Sequence, residues 1–189
     1  MSGEAKDWDE RYRSGFYGGN IEPHGLVKKF WKAFPGVFVA DIAMGSGRDA
    51  IFLASRGLSV TGLERSAEAA RIARESIGGK NLPLSVVRGD AARLPFKKES
   101  FNGVIVFYFL LREIAPEITA ILKRDGILIY ETHLKRQNAA GRSMNPAFLL
   151  DDGELLGLFP GMETIFYEEA VRRDGEKTRI TAQLVARKR

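Results

Sequence analysis

Three carboxylates and one glycine turn are the residues of this sequence best suited to chemistry. Asp41 ends the apolar run Val37-Phe38-Val39-Ala40, and Ile42-Ala43-Met44-Gly45-Ser46-Gly47-Arg48-Asp49-Ala50 follows. Its last six residues satisfy G-x-G-x-x-A, in which glycines allow a tight turn and a close backbone approach to a ligand. A helix opening just beyond offers N–H groups to anionic or polar atoms. Glu64 follows Asp41 by twenty-three residues, and an acid there accepts hydrogen bonds from both hydroxyls of a ribose. Arg65 beside it raises a rival, a 2′-phosphate site. Asp90, in Gly89-Asp90-Ala91-Ala92-Arg93-Leu94-Pro95-Phe96, suits an adenine amino group, with the Ala91 N–H donating to a ring nitrogen. Together these residues describe a nucleotide-type site.

The elements that must position them alternate. Strands are predicted over 37–42, 59–63, 84–87, 104–107 and 127–131, and helices over 46–56, 67–77 and 116–123. Ser66 is a good N-cap for the helix at 67–77, which stops at Gly78-Gly79. Strict alternation of strand and helix implies a parallel sheet covered on both faces. Asp41, the turn, Glu64 and Asp90 then all fall at the carboxyl ends of successive strands, the edge where open α/β sheets bind ligands. Upstream, a short helix over 5–13 carries Trp8 and Tyr12 on one face. Gly15, Gly18 and Gly19 break it, and a second helix runs over 23–34. Downstream, the polar segment 133–145 reads as a flexible active-site loop, and a short helix spans 152–158. Strands over 164–171 and 178–186 close the chain, joined through Arg173-Asp174-Gly175-Glu176, a hairpin signal.

The 189 residues suit one domain. The expectation is a single domain over 1–189, with 1–35 as a helical cap over the ligand site and 36–189 as the core. Hydrophobic content of 44% and charged content of 28% are ordinary for a globular protein. With no Cys, disulfides, thiolate metal sites and a cysteine nucleophile are excluded. No His/carboxylate cluster suggests a metal. The net charge of +5 fits an anionic small substrate, weak nucleic-acid affinity or solubility alone. Residues 1–10 hold no signal core, and no apolar run approaches the roughly 20 residues of a membrane span. A cytoplasmic protein without membrane contact is the expectation.

The acid before G-x-G, the acid closing the second strand, and Asp90-Ala91-x-x-Leu94-Pro95-Phe96 after the third resemble the motifs of S-adenosylmethionine-dependent methyltransferases. That resemblance spans about 37–131, and the terminal hairpin extends it to 186. It implies a Rossmann-like three-layer α/β sandwich, with a mostly parallel seven-stranded sheet ending in an antiparallel hairpin. Trp8-Asp9-Glu10-Arg11-Tyr12, the Ala43-x-Gly45-x-Gly47-Arg48 turn, the stretch 107–116 and Tyr130-Glu131-Thr132 are most similar to the tellurite-resistance (TehB-like) group. There are departures. Ala43 replaces a glycine, Met44 stands where Cys is frequent, Glu64 replaces Asp, and Asn102 replaces Asp. Leu111 and Glu113 flank Arg112 where the group often has His and Pro.

The resemblance implies S-adenosylmethionine as cofactor, S-adenosylhomocysteine as product, and methyl transfer to a small molecule, a soft S/Se/Te nucleophile or a small anion. Cofactor contacts are expected from Asp41, Ala43, Met44, Gly45, Gly47, Glu64, Arg65, Asp90, Ala91, Phe107 and Tyr108. Asp41 would hold the ammonium group, and the N–H groups near Gly45 and Gly47 would approach the carboxylate. Phe107 and Tyr108 would face the sulfonium, where cation–π attraction is on the order of 0.5–2 kcal/mol. No catalytic side chain is required of a soft nucleophile, and Tyr12, Arg112 and His133 are the substrate-side candidates. Arg112 suits an oxyanion and His133 a base, while His24 reads as structural or solvated. Phe107-Tyr108-Phe109-Leu110 lacks the motif of amino-directed nucleic-acid enzymes. Two rival readings are an NADP-binding oxidoreductase and a non-catalytic S-adenosylmethionine-binding protein.

Overall fold

The strands of this chain lie side by side in the order β3-β2-β1-β4-β5-β7-β6. The computed structural model describes residues 2–15, 21–140, 144–174 and 177–189. Helix α1 spans Ser2–Arg13, α2 Gly25–Phe30, α3 Arg48–Ser55, α4 Ala67–Ile77, α5 Ala115–Ile121 and α6 Glu154–Gly157. Strands β1 (Phe38–Ile42), β2 (Ser59–Glu64), β3 (Leu84–Arg88), β4 (Phe101–Phe107) and β5 (Leu122–His133) pair in parallel. Strand β7 (Lys177–Lys188) is antiparallel to both β5 and β6 (Met162–Asp174). The seven-stranded, mostly parallel sheet with its closing hairpin is the expected Rossmann-like architecture. The turn residues 175–176 and the breaks expected at Gly18 and Gly19 lie outside the described residues.

Period-two alternation explains the continuous apolar runs of the central strands. Ala40 and Ile42 of β1, Val104 and Val106 of β4, and Leu128 and Tyr130 of β5 fill one core. Val39, Ile105, Ile127 and Ile129 fill the other, against Leu26, Leu53 and Val185. Asp41 is the polar exception within β1, flanked by Gly62 and Ile105 in register. A strand buried on both faces holds a carboxylate only at its carboxyl end, where the sheet edge opens.

The cap and the segment after β5 differ from the prediction. The helix expected over 23–34 is shorter, because His24 is extended at its start (φ −60, ψ 142). The reason is tertiary: the His24 N–H donates to Asp49 Oδ1 at 2.8 Å. The segment 133–145 is not the unstructured loop expected. His133 completes β5, and Lys135–Ala140 form a 3-10 helix. Gln137 pins it to β7, donating to Thr178 O (3.1 Å) and accepting from Ile180 N–H (2.7 Å). Residues 141–143 lie outside the described residues. Helix α1 packs on α4, where Asp9 Oδ1 accepts from Ser66 Oγ (2.6 Å) and from Glu68 N–H (3.2 Å). Asp9 thus serves, with Ser66, to cap the α4 N-terminus, and the Ser66 hydroxyl holds its pKa below the ordinary value.

Candidate functional site

The turn after β1 is built from left-handed backbone. Ala43 (φ 56), Gly45 (φ 62) and Gly47 (φ 83) all have positive φ. For Ala43 that conformation costs roughly 1–2 kcal/mol, which a glycine avoids. The turn closes on itself through Met44 N–H to Leu63 O (3.0 Å) and Gly47 N–H to Met44 O (3.2 Å). A Cβ on Gly45 would lie 2.6 Å from the Tyr12 hydroxyl, so this glycine makes room for α1. Met44 is corrected here. Its side chain is buried and turned into the sheet, with Sδ at 2.0 Å from where a Gly62 Cβ would stand.

Glu64 has a structural role that the sequence did not show. Its Oε2 accepts from Gly45 N–H and its Oε1 from Ser66 N–H, both at 2.7 Å. The carboxylate thus holds the turn to the start of α4, and each oxygen retains its second lone pair for a ligand hydroxyl. The N–H groups of Gly45 and Gly47 are both engaged within the turn.

Asp41 is 4% exposed. Burial first, then the Asp49 and Glu64 carboxylates, raise its pKa well above the ordinary value, against the lowering influence of Arg48. Burial likewise raises that of Glu64, against the N–H donors that lower it. A cluster of buried acids with little compensating charge is a ready receptor for a cation.

At the next strand ends, Arg65 lies 3.9 Å from Asp90, and both border a cavity of about 350 Å³ with Arg88 and Gly89. Asp90 Oδ1 accepts from Ala92 N–H at 3.0 Å, which shapes the loop. Ala91 is buried against the core.

Beyond β4 and β5 lies a larger cavity of about 440 Å³. Phe107 ends β4 and Tyr108 follows it, and the His24 ring stacks on Phe107 with centroids 4.0 Å apart and planes 2° apart. Tyr108 has φ 52, a conformation that a bulky residue adopts only under constraint. Its hydroxyl donates to Glu131 Oε1 at 3.2 Å, and the Arg179 guanidinium lies 4.8 Å from its ring centroid. Burial, then the Glu131 charge, keep the phenol protonated by raising its pKa. Glu131 also accepts from Thr181 Oγ1 (3.1 Å) and Gln183 Nε2 (2.7 Å). Lys29, Arg48, Arg172, Arg173 and Arg179 line the cavity, against Glu22, Glu131 and Glu168. Arg172 and Arg179 stand directly opposite each other across the hairpin. Arg172 is answered locally: its Nη2 donates to Glu168 Oε2 and to Gln183 Oε1 (2.9 Å), and its Nη1 to Thr181 Oγ1 (2.8 Å).

Of the substrate-side candidates, Tyr12 lies against the glycine turn. His133 is buried at the end of β5 and stacks on Tyr108, centroids 4.8 Å apart. Arg112 is corrected: Nε and Nη2 donate to Glu154, Nη1 to Ala147 O, and Nη2 to Leu149 O. It fastens the segment ahead of α6 and does not line either cavity. Sequence reasoning missed His24, Asp49, Glu131, Arg172, Arg179 and Gln183. Counting back from a two-residue turn at Asp174-Gly175 sets Arg172 opposite Lys177, so its observed place opposite Arg179 was not readable from the sequence.

Residues 39–126 match the model of a methyltransferase domain. No curated protein matches the chain in sequence. Among solved structures, the chain is similar to one from work on converting a disulfide bond into a thioacetal group during echinomycin biosynthesis. The TM-score is 0.77 at 19% identity, covering 98% of this chain and 93% of that one. TehB from Haemophilus influenzae gives a TM-score of 0.77 at 19% identity over 96% of this chain and 67% of TehB. An S-adenosylmethionine-dependent methyltransferase from Methanosarcina mazei gives 0.71 at 20% identity, covering 88% and 98%. At such identities these likenesses speak for the fold.

Proposed function

We propose that this chain, an S-adenosylmethionine-dependent methyltransferase by its domain and fold, methylates a small anionic acceptor. The seat of that acceptor is the cavity between β4, β5 and the β6–β7 hairpin. The observation that carries the reading is the basic lining of that cavity, where Lys29, Arg172, Arg173 and Arg179 converge. An oxyanion or carboxylate among such groups gains charge-assisted hydrogen bonds.

The residues present fit the cofactor. Asp41, whose pKa is raised first by burial and then by its acidic neighbours, suits an ammonium group. Glu64 would receive the ribose hydroxyls on its remaining lone pairs, and Asp90 and Ala91 would border the adenine, with Arg65 at the rim. The bound cofactor supplies an electrophilic methyl on a sulfonium, which leaves as a thioether while the acceptor lone pair forms the new bond to carbon. His24 and Tyr108 line the cavity, with Phe107 stacked against His24, and would help to exclude water there. Tyr108 stays a neutral phenol and Glu131 is held by Tyr108, Thr181 and Gln183, so neither competes as the nucleophile. A soft nucleophile such as a thiolate or a reduced chalcogen needs only positioning and desolvation. Tyr12 would close the cofactor side under the α1 cap.

The test is methyl transfer from labelled S-adenosylmethionine to thiols, selenite, tellurite and small carboxylates, in the wild type and in Arg172→Gln. Turnover with an anionic acceptor, with KM raised in the variant, is the expected result. Tight S-adenosylhomocysteine binding with no turnover on any acceptor would favour a non-catalytic binder. NADP binding in its place would overturn the reading.

A further inference from the structure

His24 lies where the cofactor turn meets the larger cavity, and its hydrogen bonds define a chain. Asp49 grips it twice: the His24 N–H donates to Oδ1 at 2.8 Å and the ring Nδ1–H to Oδ2 at 2.5 Å. The side chains are 11% and 6% exposed, so little water competes. With Nδ1 protonated toward a carboxylate, Nε2 carries the lone pair. Arg48 Nη2 donates to that nitrogen. Parallel stacking on Phe107 at 4.0 Å removes the remaining freedom of the ring. Arg48 is thus held at one end by an acceptor that has a single available tautomer. Its guanidinium lies near enough to Asp41 to oppose the rise in the pKa of that acid.

The α-carboxylate of the cofactor needs a partner in this region. The N–H groups of Gly45 and Gly47 are engaged by Glu64 Oε2 and Met44 O. Arg48 opens α3 directly after the turn that follows Asp41, with its guanidinium held by His24, and an amino-acid group carries its ammonium and carboxylate on one carbon. Asp41 and Arg48, at the two ends of that turn, have the charges to take one each. We propose that His24, clamped by Asp49, is a positioning residue that aims the Arg48 guanidinium at the carboxylate of the cofactor's amino-acid end. The inference rests on the methyltransferase reading above and assigns that reading a specific recognition chain, Asp49–His24–Arg48.

Two histidine substitutions separate the nitrogens. His24→Asn retains a donor near Nδ1 for Asp49 but offers nothing to Arg48. His24→Gln places an amide oxygen near Nε2. Binding is measured by calorimetry with S-adenosylhomocysteine and with 5′-methylthioadenosine, which lacks the amino-acid end, and folding is checked by thermal melts. His24→Asn is expected to weaken S-adenosylhomocysteine about tenfold and leave methylthioadenosine unchanged. His24→Gln should recover most of that loss, and Arg48→Gln with His24→Asn should be no worse than Arg48→Gln alone. Unchanged S-adenosylhomocysteine affinity in His24→Asn overturns the proposal, and so does an equal loss for both ligands, which marks a merely structural role. If the wild type binds neither ligand, the methyltransferase reading itself fails. If it binds both equally well, that reading stands and the recognition chain does not.

Discussion

The carboxyl edge of the first three parallel strands, proposed as the cofactor edge, and the larger cavity, proposed as the acceptor's seat, are assembled in different ways. The first is made of short sequence segments: a strand, its terminal acid, and the turn that follows. Asp41, Glu64 and Asp90 reach it because parallel strands end on the same side. The second gathers His24 from the cap, Arg48 from α3, Glu131 from β5, and Arg172 and Arg179 from the hairpin. On the proposed reading, cofactor binding is written in local segments and acceptor binding in long-range contacts.

The largest expected effect would break this comparison at the cofactor edge. Asp41→Asn should lower S-adenosylhomocysteine affinity about a hundredfold, consistent with losing a buried charge contact. It should also raise the melting temperature at neutral pH. The folded-state pKa of Asp41 is raised above the ordinary 3.8, so the folded protein binds an extra proton between those values. Stability is then lost as pH rises from 3.8 through the raised value, and the Asn variant should lack that loss. Melting curves across pH in both proteins check the sign. The same linkage predicts that, at pH values below that raised pKa, binding of the ammonium-bearing ligand releases a proton, measurable by calorimetry in buffers of different ionisation enthalpy.

At the larger cavity, Arg172→Gln and Arg179→Gln should each lower kcat/KM for an anionic acceptor about ten- to a hundredfold. Affinity for S-adenosylhomocysteine should hold, and equal losses in both would erase the division between the two regions.

Gly62→Ala probes the packing beneath the edge. The new Cβ would meet Met44 Sδ at 2.0 Å, and a denaturant melt should show a destabilisation of about 1–3 kcal/mol. Arg112→Ala should cost about 1 kcal/mol of stability through its lost hydrogen bonds. Its KM for the acceptor should stay unchanged, since the side chain fastens Glu154 and the carbonyls of Ala147 and Leu149. The smallest effect is expected of Ala43→Gly, where relief of the positive φ of 56 should leave a stability change within about 1 kcal/mol after the entropy cost of glycine. Thermal melts would measure it.

The helix at 67–77 was legible to the residue, because Ser66 caps it and glycines follow it. The helix expected over 23–34 was not. Its first turn is diverted by the bond from His24 N–H to Asp49, a partner twenty-five residues away. Arg112 shows the same limit: an arginine before a helix reads alike whether it meets a substrate or a glutamate.

The sequence by itself determined the alternating sheet, the acid–glycine turn, the closing hairpin and the identity of the cofactor edge. Period, turn chemistry and strand-end position are local quantities, and a parallel sheet converts them directly into place. Only the tertiary structure decided that Glu64 serves the turn, that Met44 fills the space left by Gly62, and that His24 and Arg48 join the site. Each of those depends on which group reaches a buried donor, acceptor or gap first, and in a close-packed interior that is settled by neighbours distant in sequence.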